Sequence, residues 1–169
     1  MAKGPTRRAA KARSKDDDRT FVAQNRRARH DYEILETVEA GLELLGSEVK
    51  SLRQGKAQIR DAYARVEDGE MWLMGMHVPP WLFATGFGAH DPERRRRLLL
   101  HKRQIVEFGN RVAQESLTLV PLALYFRNGR AKVSLGLARG RKTYDKRHAL
   151  AERDARREAE RAFSGRERE

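Results

Sequence analysis

Five histidines, His30, His77, His90, His101 and His148, are the side chains best placed by type to move protons or hold a metal near neutral pH. Their spacing argues against either role: none falls in an HExxH arrangement, and the chain has no cysteine to complete a metal site. Glu39 and Glu43 form a carboxylate pair of the kind that acid–base hydrolysis uses, but two glutamates beside a turn, with no apolar pocket to shift a pKa, read as a solvated face. No GxxxxGK[ST] phosphate loop and no GxSxG elbow occurs, and Gly86-Phe-Gly88 is too short to mean more than a flexible turn. Met71, Met74 and Met76 beside Trp72 fall on both faces at strand spacing and read as core filler. No catalytic residue, metal or cofactor is therefore expected.

The remaining chemistry is cationic. Arg94 to Arg97 form one run, which reads equally well as solvated surface, and Arg139 to Arg147 form a second with Tyr144 and His148 among the basic residues. Guanidinium groups grip phosphate in bidentate fashion and stack on bases, and a neighbouring ring adds a stacking platform, so the second stretch favours RNA. The whole chain points the same way, with 36 Lys and Arg against 24 Asp and Glu, net charge +12. The excess lies at the ends. Residues 1–30 carry ten basic against three acidic groups, residues 31–138 fifteen against fourteen, and residues 139–169 eleven against seven. A nearly neutral folded middle with two basic ends fits a domain whose arms follow a phosphate backbone.

The elements that must carry these residues follow from pattern. Residues 1–24 show no sustained apolar period and read as a basic mobile arm. From Asn25 order is expected: a strand at Tyr32 to Val38, a bend at Ala40-Gly41, and a second strand at Leu42 to Leu45. Gly46 to Arg53 reads as a helix with Ser47 as N-cap and Gly55 beyond its end. Asp68-Gly69 joins Ala62–Glu67 to Glu70–Val78 in a hairpin that Pro79-Pro80 ends, and Trp81 to Pro92 reads as a surface loop. Ile105, Phe108 and Val112 recur at helical spacing in a helix from Lys102 to about Gln114. Asn128-Gly129 then turns a last hairpin, Leu117–Phe126 with Ala131–Ala138. The fold class is mainly β: a small antiparallel barrel of the oligonucleotide-binding type over residues 25–138, with two or three helices. Residues 139–169 form a basic tail whose alanine face buries too little to dock, so disorder alone and helix on a partner is expected. Lack of cysteine suits a reducing cytosol, and no apolar run is long enough to span a membrane, so a cytoplasmic monomer without membrane contact is the expectation.

Several segments together resemble the bacterial SsrA-binding (small protein B) family: Asn25-Arg-Arg-Ala-Arg-His-Asp-Tyr32, Glu39-Ala-Gly41, Gly46-Ser-Glu-Val-Lys-Ser-Leu-Arg53, Asp91-Pro92, Leu98-Leu-Leu-His-Lys-Arg103 and Asp145-Lys-Arg147. The likeness runs in order from about Asn25 to Arg157. It implies a barrel that grips the tRNA-like domain of transfer-messenger RNA. With elongation factor Tu, which joins through the aminoacylated RNA, it implies delivery of that RNA to stalled ribosomes for trans-translation. The tail would enter the empty messenger channel near the decoding centre of the 16S rRNA and fold there into a helix.

By the same resemblance, Glu39, Leu99, His101 and Lys132 look like members of the RNA-binding surface, and the matched segments add Asn25, Arg26, Arg29, His30, Lys50 and Arg53. Arg139, Gly140, Arg141, Lys142, Tyr144, Asp145, Lys146 and Arg147 look like the hinge and ribosome-facing start of the tail; Tyr144 stands where several members have His. A general ribosomal or single-strand RNA-binding protein on the same barrel is the alternative reading, separable by preference for a tRNA-shaped RNA. An RNA-modifying enzyme is a further rival that nothing in the sequence favours.

Overall fold

The computed structural model describes residues 18–83, 89–141, 150–159 and 161. Seven strands and three named helices follow in order: β1 (Arg19–Gln24), α1 (Ala28–Asp31), β2 (Tyr32–Leu42), α2 (Gly46–Arg53), β3 (Tyr63–Glu67), β4 (Glu70–Met74), β5 (Arg96–Leu99), α3 (Lys102–Glu115), β6 (Thr118–Arg127) and β7 (Arg130–Gly140). All pairings are antiparallel, and β2-β7-β6-β3-β4-β5 closes into a ring because β5 returns to β2. The result is a small antiparallel barrel of the oligonucleotide-binding type. Among the described residues no helix is long and apolar enough to cross a membrane.

Two of the ring's joints are two-residue turns. Asp68 and Gly69 have φ of 51° and 71°, and Asn128 and Gly129 have 51° and 72°, the paired positive values of the turn that matches strand twist. Inside the barrel Leu73, Leu98, Leu119, Leu124, Val133, Leu135 and Leu137 are buried, with Leu52 of α2 and Ile105 and Phe108 of α3 closing the apolar volume. Met71 and Met76 are fully buried, in keeping with a core role, while Met74 faces outward.

The structure departs from the sequence reading at several places. Arg19–Gln24, inside the segment read as a mobile arm, is a strand, because β1 finds a partner in β6 through Arg19↔Arg127 to Gln24↔Ala123. β2 does not break at Ala40-Gly41. It continues to Leu42 by changing partner, leaving β7 after Gly41↔Lys132 and taking β5 through Gly41↔Leu99 and Leu42↔Leu98, and residues 43–45 are not a strand. β4 ends at Met74, four residues early, since Gly75 takes φ of 72°. Arg139 and Gly140 belong to β7, opposite Glu33 and Tyr32, so the barrel extends past Ala138. Residues 150–159 of the tail are helical with every side chain exposed, the alanine face included; Arg153 donates to the Arg29 carbonyl at 3.1 Å.

The largest departure concerns Arg94 to Arg97. Glu48 and Arg96 are both fully buried and paired. The five N–H groups of the Arg96 guanidinium meet Glu48 from Nε at 2.9 Å and Nη2 at 2.8 Å, the Met76 and Arg94 carbonyls from Nη1 at 2.7 and 2.9 Å, and the Pro92 carbonyl from Nη2 at 3.0 Å. Glu48 also accepts from Arg94 and, at 2.8 Å, from the Leu45 N–H, so Glu48 rather than Ser47 satisfies the start of α2. Ser47 is engaged elsewhere, at 2.9 Å from His90 Nδ1. His90, expected on a surface loop, is buried, and its Nε2 donates to the Val78 carbonyl at 3.0 Å. Arg95 reaches Glu67 and lies 4.4 Å over the Trp72 ring, and Arg97 reaches Glu43. The run is thus neither free surface nor a phosphate grip: two members build the interior and two pair with carboxylates.

Burial pushes the Glu48 carboxyl up, but the hydrogen bonds from Arg94 and the Leu45 N–H and the charges of Arg96 and Arg94 outweigh it and hold the group below its ordinary value. Its contribution to stability is therefore complete above the unfolded carboxylate value of about 4.3 and is lost as pH falls through the folded value. Glu48→Gln should cost about 3–5 kcal/mol, because it strands Arg96 without its counter-charge, and thermal unfolding should show a Tm drop on the order of 10 °C. The double variant Glu48→Leu/Arg96→Met, which buries no charge, should recover part of that loss, and unfolding below pH 4 should be shallower in both than in the parent.

Candidate nucleic-acid interface

Strand register brings one row of side chains to the outer face of the barrel. Phe21 lies opposite Tyr125, Tyr125 opposite Lys132, Lys132 opposite Gly41, and Gly41 opposite Leu99. Directly opposed residues of antiparallel strands share a face, so β1, β6, β7, β2 and β5 each give one position to this row, which spans about 19 Å at the usual strand spacing. Gly41 is its low point: a Cβ there would stand 3.1 Å from the Leu99 Cβ. The dip is a depression of about 330 Å³ lined by Gly41, Leu44, Val49, Leu99, Phe126 and Lys132. Leu99 and Phe21, at the two ends of the row, are about half exposed.

Glu39 sits two residues before Gly41 on the same face of β2 and organises the cations there. The Tyr125 hydroxyl donates to it at 2.5 Å, Arg127 Nη1 approaches at 3.4 Å, and Lys132 Nζ at 3.9 Å. The hydroxyl bond is the main cause that holds the Glu39 carboxyl below the ordinary range, against burial, with the charges of Arg127 and Lys132 adding to it. Burial first, then the hydrogen bond to Glu39, pushes the Tyr125 phenol up to about 12. Arg19 covers the Tyr125 ring at 4.8 Å, and Phe21 tilts against it at 5.7 Å between centroids. One carboxylate thus fixes two cations on a surface whose other members are apolar or aromatic, an arrangement suited to phosphate contact beside base stacking.

The sequence-derived residues divide into two groups. Glu39, Leu99 and Lys132 come together, with Arg53 of α2 at the edge, 5.4 Å over the Phe126 ring. Lys50, one turn earlier on α2, and His101, whose backbone N–H donates to Gln104 at the start of α3, are exposed close by in sequence. Asn25, Arg26, Arg29 and His30 are not brought to this face. They lie at α1, before the first residue of β2, and Tyr32 is seven residues from Glu39, roughly 23 Å along a strand. Asn25 is buried and points inward: its Nδ2 donates to the Pro121 carbonyl at 3.2 Å and its Oδ1 accepts from the Ala28 N–H at 3.1 Å. It holds α1 to the barrel while Arg26 and Arg29 stay exposed. His30 is tied to Asp31 at 2.9 Å.

The tail's first residues join this second group. Gly140 pairs with Tyr32, Arg139 with Glu33, and the Arg141 N–H donates to the Asp31 carbonyl at 3.1 Å. Lys142, Tyr144, Asp145, Lys146 and Arg147 lie outside the described residues. Among the described residues no group of three His, Cys, Asp or Glu is placed to hold a metal.

Sequence reasoning missed Tyr125, Arg127, Arg19 and Phe21. Two of these were recoverable: a two-residue turn at Asn128-Gly129 forces Arg127 opposite Arg130, and hence Tyr125 opposite Lys132.

The profile of the family described as "SmpB protein" matches residues 22–165. An "SsrA-binding protein" of Parafrankia sp. (strain EAN1pec) is 55% identical over 147 residues, 87% of this chain and 92% of its own length. Another, of Kineococcus radiotolerans, is 52% identical over 152 residues, 90% of this chain and 97% of its own. A chain from the solved structure "tmRNA-SmpB: a journey to the center of the bacterial ribosome" is 52% identical, with a TM-score of 0.60 and coverage of 72% of this chain and 85% of that one.

Removing the phenolic donor by Tyr125→Phe should let the Glu39 carboxyl rise toward its ordinary value and loosen Arg127 and Lys132. A carbon-detected NMR titration of the Glu39 side chain should show the upward shift; an unchanged midpoint would mean that the two cations alone hold the carboxylate.

Proposed function

The chain belongs to the SmpB protein family, and from that membership we propose that it binds the tRNA-like domain of transfer-messenger RNA and delivers it to stalled ribosomes for trans-translation. The observation that carries the reading is the row Phe21, Tyr125, Lys132, Gly41, Leu99, with Glu39 fixing Arg127 and Lys132 beside it. Lys132 and Arg127 meet phosphates, the Gly41 dip admits a nucleotide edge, and Leu99 supplies an apolar contact. Glu39 repels phosphate by itself, but it is bonded to a phenol and two cations, so its effect on RNA is to hold those cations at fixed positions. His101, Lys50 and Arg53 flank this surface.

The tail's role is carried by where it starts. It leaves β7 beside α1, at the end of β2 remote from Glu39, so RNA can occupy one end while residues from 142 onward reach another partner. On this reading Lys142, Tyr144, Asp145, Lys146 and Arg147 face the decoding centre and 16S rRNA, and the rest of the tail lies helically in the empty messenger channel. Elongation factor Tu joins through the aminoacylated RNA, the protein acts as a monomer in the cytoplasm, and it performs no catalysis of its own.

Binding at physiological salt to transfer-messenger RNA and to an unstructured RNA of equal length tests the reading, since preference that survives salt reports recognition rather than bare charge. Strong preference for transfer-messenger RNA is expected. Leu99→Ala and Glu39→Ala should each weaken that binding about tenfold, about 1.4 kcal/mol, with unchanged thermal unfolding. Truncation after Arg141 should leave RNA binding within about twofold and abolish peptide tagging on stalled ribosomes; equal binding to both RNAs would reduce the protein to a general basic RNA binder.

A further inference from the structure

Several arginines of the barrel are engaged with carboxylates: Arg27 with Asp31, Arg65 and Arg95 with Glu67, Arg97 with Glu43, Arg111 with Glu36 and Arg127 with Glu39. Around α1 one such pair, Arg27 with Asp31, stands beside cations and a carboxylate that have no partner among the described residues. Between α1, the segment before β3, and β6 lies a polar depression of about 460 Å³, whose lining includes Tyr32, Arg60, Asp61, Tyr63 and Thr118. Among the described residues, the side chains of these five make no hydrogen bond and no ion pair. The exposed cations Arg26, Arg29 and Arg139 stand on the adjoining α1 and the end of β7, likewise without a carboxylate partner. A second depression, lined by Arg60, Asp61, His77 and Glu93, shares the Arg60-Asp61 ridge with the first.

We infer that the depression lined by Tyr32, Arg60, Asp61 and Tyr63 is a binding site for one unstacked nucleotide of single-stranded RNA. The size lies within the range of small-ligand sites. The side chains supply each class of contact that such a nucleotide needs: tyrosine rings for the base, an unpaired guanidinium for its phosphate, and a free carboxylate that accepts from base N–H groups. A carboxylate accepts but does not donate, so it selects bases with a donor edge, guanine best because its N1–H and N2–H lie side by side. The surrounding cations favour a polyanion over an acidic or neutral peptide strand, and the neighbouring depression gives the chain a continuation. Asn25 shapes the floor, since its amide ties α1 to the Pro121 and Arg60 carbonyls.

The site deepens the RNA-binding reading but does not share its surface, because Tyr32 and Glu39 stand at opposite ends of β2. The two can therefore fail separately.

The full-length protein should be titrated with an all-uridine decamer and with the same decamer carrying one central guanosine, the bases bearing a photo-cross-linker. The guanosine decamer should bind more tightly, and mass spectrometry should place cross-links at Tyr63 or Tyr32. Tyr63→Ala should weaken it about tenfold while Tyr63→Phe retains binding. Arg60→Ala should lower the slope of log affinity against log salt by about 0.7, the loss of one phosphate contact on a single strand. Asp61→Asn should erase the preference for guanosine. Transfer-messenger RNA binding, measured alongside, tests the Glu39 surface and should not depend on Tyr63. Cross-links confined to the Glu39 and Lys132 side, or Tyr63→Ala and Arg60→Ala variants that bind both decamers as the parent does, would overturn the site and leave the depression to a protein partner or to none.

Discussion

A carboxylate and a guanidinium with no access to water are the constraint on which the architecture rests. Burying either charge alone is prohibitive, and burying both is tolerable only when every donor and acceptor is matched. Arg96 meets this condition with all five N–H groups, three of which go to the backbone carbonyls of Met76, Pro92 and Arg94. Glu48 meets it by taking Arg96, Arg94 and the N–H of Leu45, the residue that caps α2, at once. A hydrophobic pair would fill the same volume but would not dictate where α2 begins, where the 76–94 connection runs and which residue of β5 faces inward. Here a single pair decides all three.

The consequence reaches the candidate site through register. With Arg96 pointing in, alternation turns Arg97 out, Leu98 in and Leu99 out. That phase puts Leu98 in the core and Leu99 opposite Gly41, on the row with Lys132 and Tyr125. A slip of one residue would expose Leu98, bury Leu99 and unpair a buried guanidinium, so the register is held by both apolar and ionic terms. The fixed start of α2 likewise sets where Arg53 meets Phe126. Binding geometry on the outside is thus specified from the inside.

Local signals were legible where turn chemistry or period-3.6 spacing decided the structure. Asp68-Gly69, Asn128-Gly129, α2 and α3 stand where the sequence places them. The failures share a cause: the deciding partner is distant in sequence. β1 has no internal apolar period and becomes a strand because β6 offers an edge. Ala40-Gly41 looks like a bend, yet the glycine serves a close approach to Leu99, some sixty residues on. Arg94 to Arg97 look like one solvated run, because nothing local reveals that Glu48 lies beneath two of them. Charge composition was therefore a sound guide to the class of partner and a poor guide to which cations meet it. The cations left without a carboxylate are the informative ones, and they are countable only after folding.

That distinction also explains why β2 carries two surfaces instead of one. At its Glu39 end the cations are held by a carboxylate and a phenol, which fixes their positions and suits recognition of one folded shape. At its Tyr32 end, beside the Arg27–Asp31 pair, Arg26, Arg29, Arg60 and Arg139 have no carboxylate partner among the described residues, which suits a flexible strand or a chain that must be released. The tail leaves β7 from this second end, next to Asp31. A protein whose carboxylate-held cations and unpaired cations lie at opposite ends of one strand can keep hold of one RNA at the first while the second meets another partner, because neither contact has to break for the other to form.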